Sequence, residues 1–175
     1  MHISAAAALA ALAALAVLLA GASATPDLFK FSQCTDHPVA GVGPHKVLLT
    51  NHASVKFEVK FKGKVVDKLC PGYKHKVKVD VGAPSNGTYN CIGLTSTLGE
   101  FTRSEQGCKN RSILKKVKKP KTVRLEVPCN NGTSSSYTLK LKATASSGAD
   151  LIQGWLAFPT DPTCAHKRCS ENEKD

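Results

Sequence analysis

The sequence predicts an all-β protein: an antiparallel β-sandwich of immunoglobulin-like or Greek-key layout, stapled by disulfides. Three observations carry this. Apolar and charged residues alternate with a period of two in several short runs. Turn residues punctuate those runs at regular spacing. The chain has seven cysteines, all beyond an N-terminal stretch that reads as a signal peptide.

The alternation is clearest in the first half. Val55, Phe57, Val59 and Phe61 alternate with Lys56, Glu58, Lys60 and Lys62. Lys62-Gly63 then reads as a tight turn into Lys64-Val65-Val66. Tyr73, His75, Val77, Val79 and Val81 alternate with Lys74, Lys76, Lys78 and Asp80. Val123, Leu125 and Val127 do so with Thr122, Arg124 and Glu126, and Tyr137, Leu139, Leu141 and Ala143 with Thr138, Lys140 and Lys142. Less regular strands are expected at 47–50, 91–96 and 151–158. The turn signals are Asn51-His52, Pro71-Gly72, 84–87, 130–132 and 146–148. In all, about seven or eight short strands are expected, with no amphipathic helix among them. Trp155 is expected in the core or at a sheet edge.

Residues 4–20 form an uncharged apolar run, followed by Ala22-x-Ala24, a small-residue cleavage pattern. Residues 1–24 are therefore expected to be a signal peptide, with Thr25 as the first mature residue. The chain has 175 residues, so 25–175 is expected to be a single secreted domain, with 25–45 and 159–175 as irregular arms held by cysteines. No later run is long and apolar enough for a transmembrane helix.

In an extracellular setting Cys34, Cys70, Cys91, Cys108, Cys129, Cys164 and Cys169 are disulfide candidates. An odd number leaves one thiol over, so either a monomer or a disulfide-linked dimer is expected. Cys164 and Cys169 are near enough in sequence to clasp the tail to itself. Cys164, His166 and Cys169 lack the fourth ligand and the ligand spacing of a zinc site, so no metal is expected. Asn86, Asn110 and Asn131 each begin an N-x-Ser/Thr glycosylation sequon.

The order of features along the chain adds a resemblance. Gly72-Tyr73, then Val77-x-Val79-x-Val81, then the stretch from Leu94 to Thr102 with Gly99-Glu100-Phe101 inside it, then Cys108, resembles the core of reeler-type domains. These have a Gly-Tyr turn, a strand, a Gly-x-Phe hairpin and a cysteine in that order. Thr122 to Ala143 corresponds to the later strands. The resemblance implies a secreted β-sandwich of adhesion, matrix or defence contexts.

Charge suggests a partner. The formal net charge is +11. Lys56, Lys60 and Lys62 share one strand phase, Lys74, Lys76 and Lys78 another, and Lys140 and Lys142 a third. Residues 115–121 read as a basic loop holding Lys115, Lys116, Lys118, Lys119 and Lys121. If these strands share a sheet, they form a broad cationic face that attracts an acidic glycan or cell-surface component in a salt-dependent way. Nucleic acid is not expected. Only Arg103, Arg111, Arg124 and Arg168 among the 24 basic residues are arginine, and aromatic stacking platforms are few.

Two other functions are weighed. A lipid or small-molecule carrier would open a cavity between its sheets, lined by Phe57, Phe61, Tyr73, Val77, Leu139 and Leu141. An extracellular-matrix enzyme would need convergent acids and bases, but the sequence has no nucleophile elbow, phosphate loop or zinc-protease motif. Nothing in the spacing of His37, His45, His52, His75 and His166, or of Asp36, Asp67, Glu58, Glu100, Glu105 and Glu126, pairs them for acid–base work. Copper oxygenases of polysaccharides begin with histidine, where this mature chain begins with Thr25. No catalytic residue and no cofactor are expected.

Overall fold

The computed structural model describes residues 33–38, 47–83, 89–129, 136–147, 150–166 and 169. The expected signal peptide, most of the N-terminal arm, His45 and the sequons at Asn86 and Asn131 lie outside these residues.

Among the described residues ten strands form in chain order: β1 (Val47–Leu49), β2 (Lys56–Phe61), β3 (Lys64–Val65), β4 (Lys74–Asp80), β5 (Tyr89–Ser96), β6 (Glu100–Phe101), β7 (Arg111–Val117), β8 (Lys121–Glu126), β9 (Thr138–Ser147) and β10 (Asp150–Pro159). They make two five-stranded sheets, β1-β10-β9-β5-β7 and β3-β2-β4-β8-β6. Every pairing is antiparallel except β1 with β10, which is parallel. Among the described residues no helix is long and apolar enough to cross a membrane.

Period-two patterning explains which face each strand buries. Val59, Val77, Val79, Val123 and Leu125 from one sheet meet Ile92, Leu94, Leu139, Leu141, Ala143, Ala145, Ile152 and Phe158 from the other in one continuous core. The β2–β3 connection is a two-residue hairpin in which Lys62 (φ 47°) and Gly63 (φ 85°) both adopt positive φ. That is the turn whose twist matches the flanking strands. Gly72 (φ 76°) has a different reason for being glycine: a Cβ there would stand 2.6 Å from Cys169 Sγ and 2.7 Å from His166 Cβ.

The expected basic loop at 115–121 is shorter than the sequence suggests. Lys115, Lys116 and Val117 belong to β7 and Lys121 begins β8, so residues 118–120 alone make the turn. β7 escapes the alternation rule because Lys116 has φ 50°. That left-handed step turns Val117 into the core, although Val117 has the strand parity of the exposed Lys115.

The disulfides join Cys34 to Cys108, Cys70 to Cys164 and Cys129 to Cys169. The expected Cys164–Cys169 clasp does not form. Each tail cysteine reaches back to the body of the domain, closing loops of 94 and 40 residues. Cys91 takes part in no disulfide. It is the odd cysteine, and it is buried. It packs with Leu151, Leu48 and Ile113 in a small cluster on the outer side of the β1-β10-β9-β5-β7 sheet. An intermolecular bridge through Cys91 therefore requires that cluster to open. Trp155 lies on β10, at the edge of this sheet, and is 47% exposed.

Candidate functional site

The lysine strands divide between the two sheets rather than sharing one. β2 and β4 are neighbours, so Lys56, Lys60, Lys74, Lys76 and Lys78 all project from the outer face of the β3-β2-β4-β8-β6 sheet. Lys140 and Lys142 lie on β9 in the other sheet, as does Lys115 on β7. Lys116 also sits on β7, and Lys118 and Lys119 cap the β7–β8 turn. Lys121 opposes the core residue Val79 at the start of β8. Lys62 leaves the strand phase at the hairpin, and its Nζ rests 5.1 Å from the Phe61 ring centroid and 5.6 Å from that of Tyr73. A single broad face of all thirteen lysines is therefore not what the fold builds.

What it builds is a narrower row. Lys60 faces Lys76 across the β2–β4 ladder, and Lys76 faces Arg124 across the β4–β8 ladder. Three cationic side chains thus stand abreast on adjacent strands, about 4.8 Å apart at the backbone. Like charges directly opposite one another destabilise a sheet. The neighbouring rows are mixed. Glu58, Lys78 and Thr122 form one, and Lys56 opposes Asp80. Lys74 opposes Glu126, which is also opposite Glu100. Lys60 pairs with Glu58 at 3.2 Å and Lys74 with Glu126 at 3.5 Å, both on the surface. Among the described residues Lys76 and Arg124 make no ion pair.

Glu58, Lys60, Lys76, Lys78, Thr122 and Arg124 line a shallow depression of about 480 Å³. It brings together three ammonium groups and a guanidinium, with the Thr122 hydroxyl beside them and the Glu58 carboxylate on one wall, a donor set suited to oxyanions. Arg124 supplies the planar fork that matches carboxylate, sulfate or phosphate in a bidentate way. Sequence reasoning located Lys60, Lys76 and Lys78 and missed Arg124 and Thr122. The signal was available in the phase of β8, where Thr122 and Arg124 alternate with Val123 and Leu125.

The opposite sheet has a different outer face. His37 Nδ1 lies 2.7 Å from Thr144 Oγ1 and His37 Nε2 lies 2.7 Å from Thr95 Oγ1. One ring nitrogen donates and the other accepts, and the hydroxyls rotate to match. Gln153 Nε2 also donates to Thr144 Oγ1 at 2.8 Å. Burial, with Lys142 and Arg111 nearby, lowers the His37 pKa to about 3. Arg111 is itself buried, donating through Nε to Glu105 at 2.5 Å and through a guanidinium nitrogen to the Gln33 carbonyl at 3.3 Å. Together with the Cys34–Cys108 bridge these contacts fasten residues 33–38 onto the sheet. Burial and Lys140 hold the Lys142 amine below the usual lysine range, with Asp36 opposing them.

His75 is a core histidine. Its Nδ1 donates to the Tyr73 carbonyl at 3.3 Å, its Nε2 accepts from the Cys70 N–H at 3.1 Å, and its ring stacks on Phe61 at 4.9 Å. Burial lowers its pKa, against the bond to Tyr73. His166 packs edge-on against Tyr73. The side chains expected around a carrier cavity are packed instead. Val77, Leu139 and Leu141 have no exposed surface, so no water-sized void touches them. Phe61 and Tyr73 pack as a tilted aromatic pair with centroids 5.1 Å apart, and Phe57 packs against the core. Among the described residues no cluster of His, Cys, Asp and Glu is arranged to hold a metal ion. Asn110 is half-buried, and its amide donates to the Ser96 carbonyl at 3.0 Å.

Comparison with protein-family models, with curated proteins and with solved structures returns no match to this chain.

Proposed function

We propose that this protein is a secreted binding module that recognises an acidic extracellular glycan through the outer face of the β3-β2-β4-β8-β6 sheet. The observation that carries this reading is the Lys60–Lys76–Arg124 row. Three cations abreast cost folding stability. A bound carboxylate or sulfate group relieves that repulsion, so the row is unfavourable alone and complementary to a polyanion. The net charge of +11 adds long-range attraction. Binding is by charge complementarity, without chemistry, and Lys56, Lys74 and Lys78 extend the contact along β2 and β4. Secretion is supported by the N-terminal apolar run and by three intramolecular disulfides.

The finer architecture belongs to the same proposal. An immunoglobulin-like Greek key is supported by the parallel β1–β10 pairing beside the antiparallel β10-β9-β5-β7 run. It is also supported by Tyr137, just before β9, whose hydroxyl donates to the Pro128 carbonyl at 2.5 Å, as in the tyrosine corner of such sandwiches. The reeler-type resemblance is supported by the β4 strand after the Gly72-Tyr73 turn and by the β6 hairpin strand at Glu100–Phe101 ahead of Cys108.

The test is retention on immobilised heparin against a neutral dextran matrix, eluted with a salt gradient. Retention on heparin above physiological salt is expected. Changing Lys60, Lys76, Lys78 and Arg124 together to Gln is expected to move elution below physiological salt, whereas Lys118→Gln with Lys119→Gln shifts it less. Equal retention on both matrices, or a larger loss from the turn lysines, overturns the assignment of the site.

A further inference from the structure

β10 is an edge strand over its second half. β1 pairs only with Asp150, Leu151 and Ile152, and beyond them no strand of the described residues adjoins β10 on that side. The β9 ladder fixes which way each backbone group points. Thr160 N–H donates to the Tyr137 carbonyl at 2.8 Å, and hydrogen-bonded pairs recur at every second residue of an antiparallel ladder. Phe158, Leu156 and Gly154 therefore bond to Leu139, Leu141 and Ala143, their register partners. The residues between them turn N–H and C=O away from β9. Two of these outward carbonyls are occupied: Gln153 accepts from the His52 N–H and Pro159 from the Leu69 N–H, both at 2.9 Å. Trp155 and Ala157 lie between, and their outward N–H and C=O groups have no partner among the described residues.

The side chains around this opening are apolar. Trp155 and Leu156 are 47% and 40% exposed, and Ala157 is exposed. No charged residue occurs from Leu151 to Pro159. Natural sheets guard their edges with lysine, bulges or inward charges. Two other edges carry such guards, Lys64 on β3 and Lys115 and Lys116 on β7, and this one does not. The surroundings are cationic: Lys140 Nζ stands 3.9 Å from the Trp155 ring centroid, and Lys142 is the register partner of Trp155.

We propose that the Trp155–Ala157 edge is a docking site for an extended, acidic peptide segment of another protein, which adds to β10 as a short strand. Two N–H and two C=O groups recognise its backbone. Trp155 and Leu156 offer apolar contact on the two sides of the strand, and Lys140 and Lys142 select carboxylates on the Trp155 side. The contacts at Gln153 and Pro159 close the two ends, which limits the guest to about three to five residues at ~3.3 Å per residue. A second copy of this chain is the poorer occupant, because it would bring two sets of Lys140 and Lys142 together on chains of net charge +11.

The experiment titrates the isotope-labelled protein with the peptide Ac-EVEVE-NH2, followed by amide chemical shifts. The controls are Ac-KVKVK-NH2 and a form of the acidic peptide N-methylated at the backbone nitrogens that would face β10. Shifts centred on the Trp155 and Ala157 amides are expected, at least tenfold weaker binding after N-methylation, and no shifts with the lysine peptide. Ala157→Pro is expected to abolish binding while leaving the β9 ladder intact, because the N–H it removes is not used there. Thermal melting and heparin elution of that variant report whether it folds. If it does not, the N-methylated peptide decides the matter on the unaltered protein. The proposal is overturned by binding indifferent to N-methylation, by shifts confined to the Lys60–Lys76–Arg124 row, or by no shifts at millimolar peptide. A concentration-dependent dimer that Ala157→Pro disperses would assign the edge to a second copy instead.

Discussion

Lys76 stands directly opposite Arg124 in the β4–β8 ladder, with Lys60 on its other flank in the same row. Facing like charges cost a sheet roughly 0.2–1 kcal/mol per pair. Lys76→Thr removes one cation from the middle of the row and places a residue of high strand propensity there. It is expected to raise the unfolding free energy by a few tenths to about 1 kcal/mol, and to lower the salt concentration needed for elution from heparin. Urea unfolding at low salt reads the first effect and the salt gradient the second. A variant that gains stability and keeps its heparin affinity would separate the charge row from binding.

His37 makes the protein acid-sensitive. Its pKa is about 3 in the folded state against 6.5 ordinarily, so between these values the unfolded chain binds a proton that the folded one refuses. Stability contributed by neutral His37 is fully present above about pH 6.5, declines as pH falls through that window, and levels off near pH 3. The limit set by the shift is on the order of 5 kcal/mol. Local release of residues 33–38 caps the loss where opening is easier than unfolding. His37→Gln, which has no proton to gain, is expected to flatten the profile between pH 6.5 and 3. Urea midpoints across that range, with amide exchange of residues 33–38, measure it.

Cys91 is expected to be silent to thiol reagents in the folded protein. It is 2% exposed, and burial pushes its thiol up to about 11. Little thiolate is present at neutral pH, and little of the sulfur is in reach. Maleimide labelling without reductant is expected to find no reactive thiol in native buffer and one per chain in denaturant. Labelling of Cys91 in native buffer would show that the Leu48–Ile113–Leu151 cluster opens readily.

Tyr137→Phe isolates the contact between the end of β8 and the start of β9. The hydroxyl donates to the Pro128 carbonyl, and burial raises its pKa to about 12, so it stays protonated in any physiological buffer. Losing the hydroxyl is expected to cost about 0.5–1.5 kcal/mol and to leave heparin elution unchanged. Thermal or urea unfolding checks the first, the salt gradient the second.

Much of the fold was legible because its rules are local. A period of two buries Val59, Val77 and Leu125 and exposes Lys60, Lys76 and Arg124 whatever the strands pair with. Lys62-Gly63 sets its own hairpin, since positive φ at two consecutive residues is a property of the turn. β7 was not legible, because Lys116 departs from strand geometry and breaks the pattern that would reveal it.

The class of fold, the phase of each regular strand, the surplus of positive charge and the presence of one odd cysteine follow from composition and local patterning. Tertiary structure alone decided that Lys140 and Lys142 leave the candidate site for the opposite sheet, that Arg124 enters it beside Lys76, that Cys164 and Cys169 bond to Cys70 and Cys129, and that Trp155 and Ala157 keep an open edge. Each of these depends on which strands become neighbours. That choice is made by burial and backbone pairing between residues far apart in the chain, and a period of two is the same whichever neighbour a strand acquires.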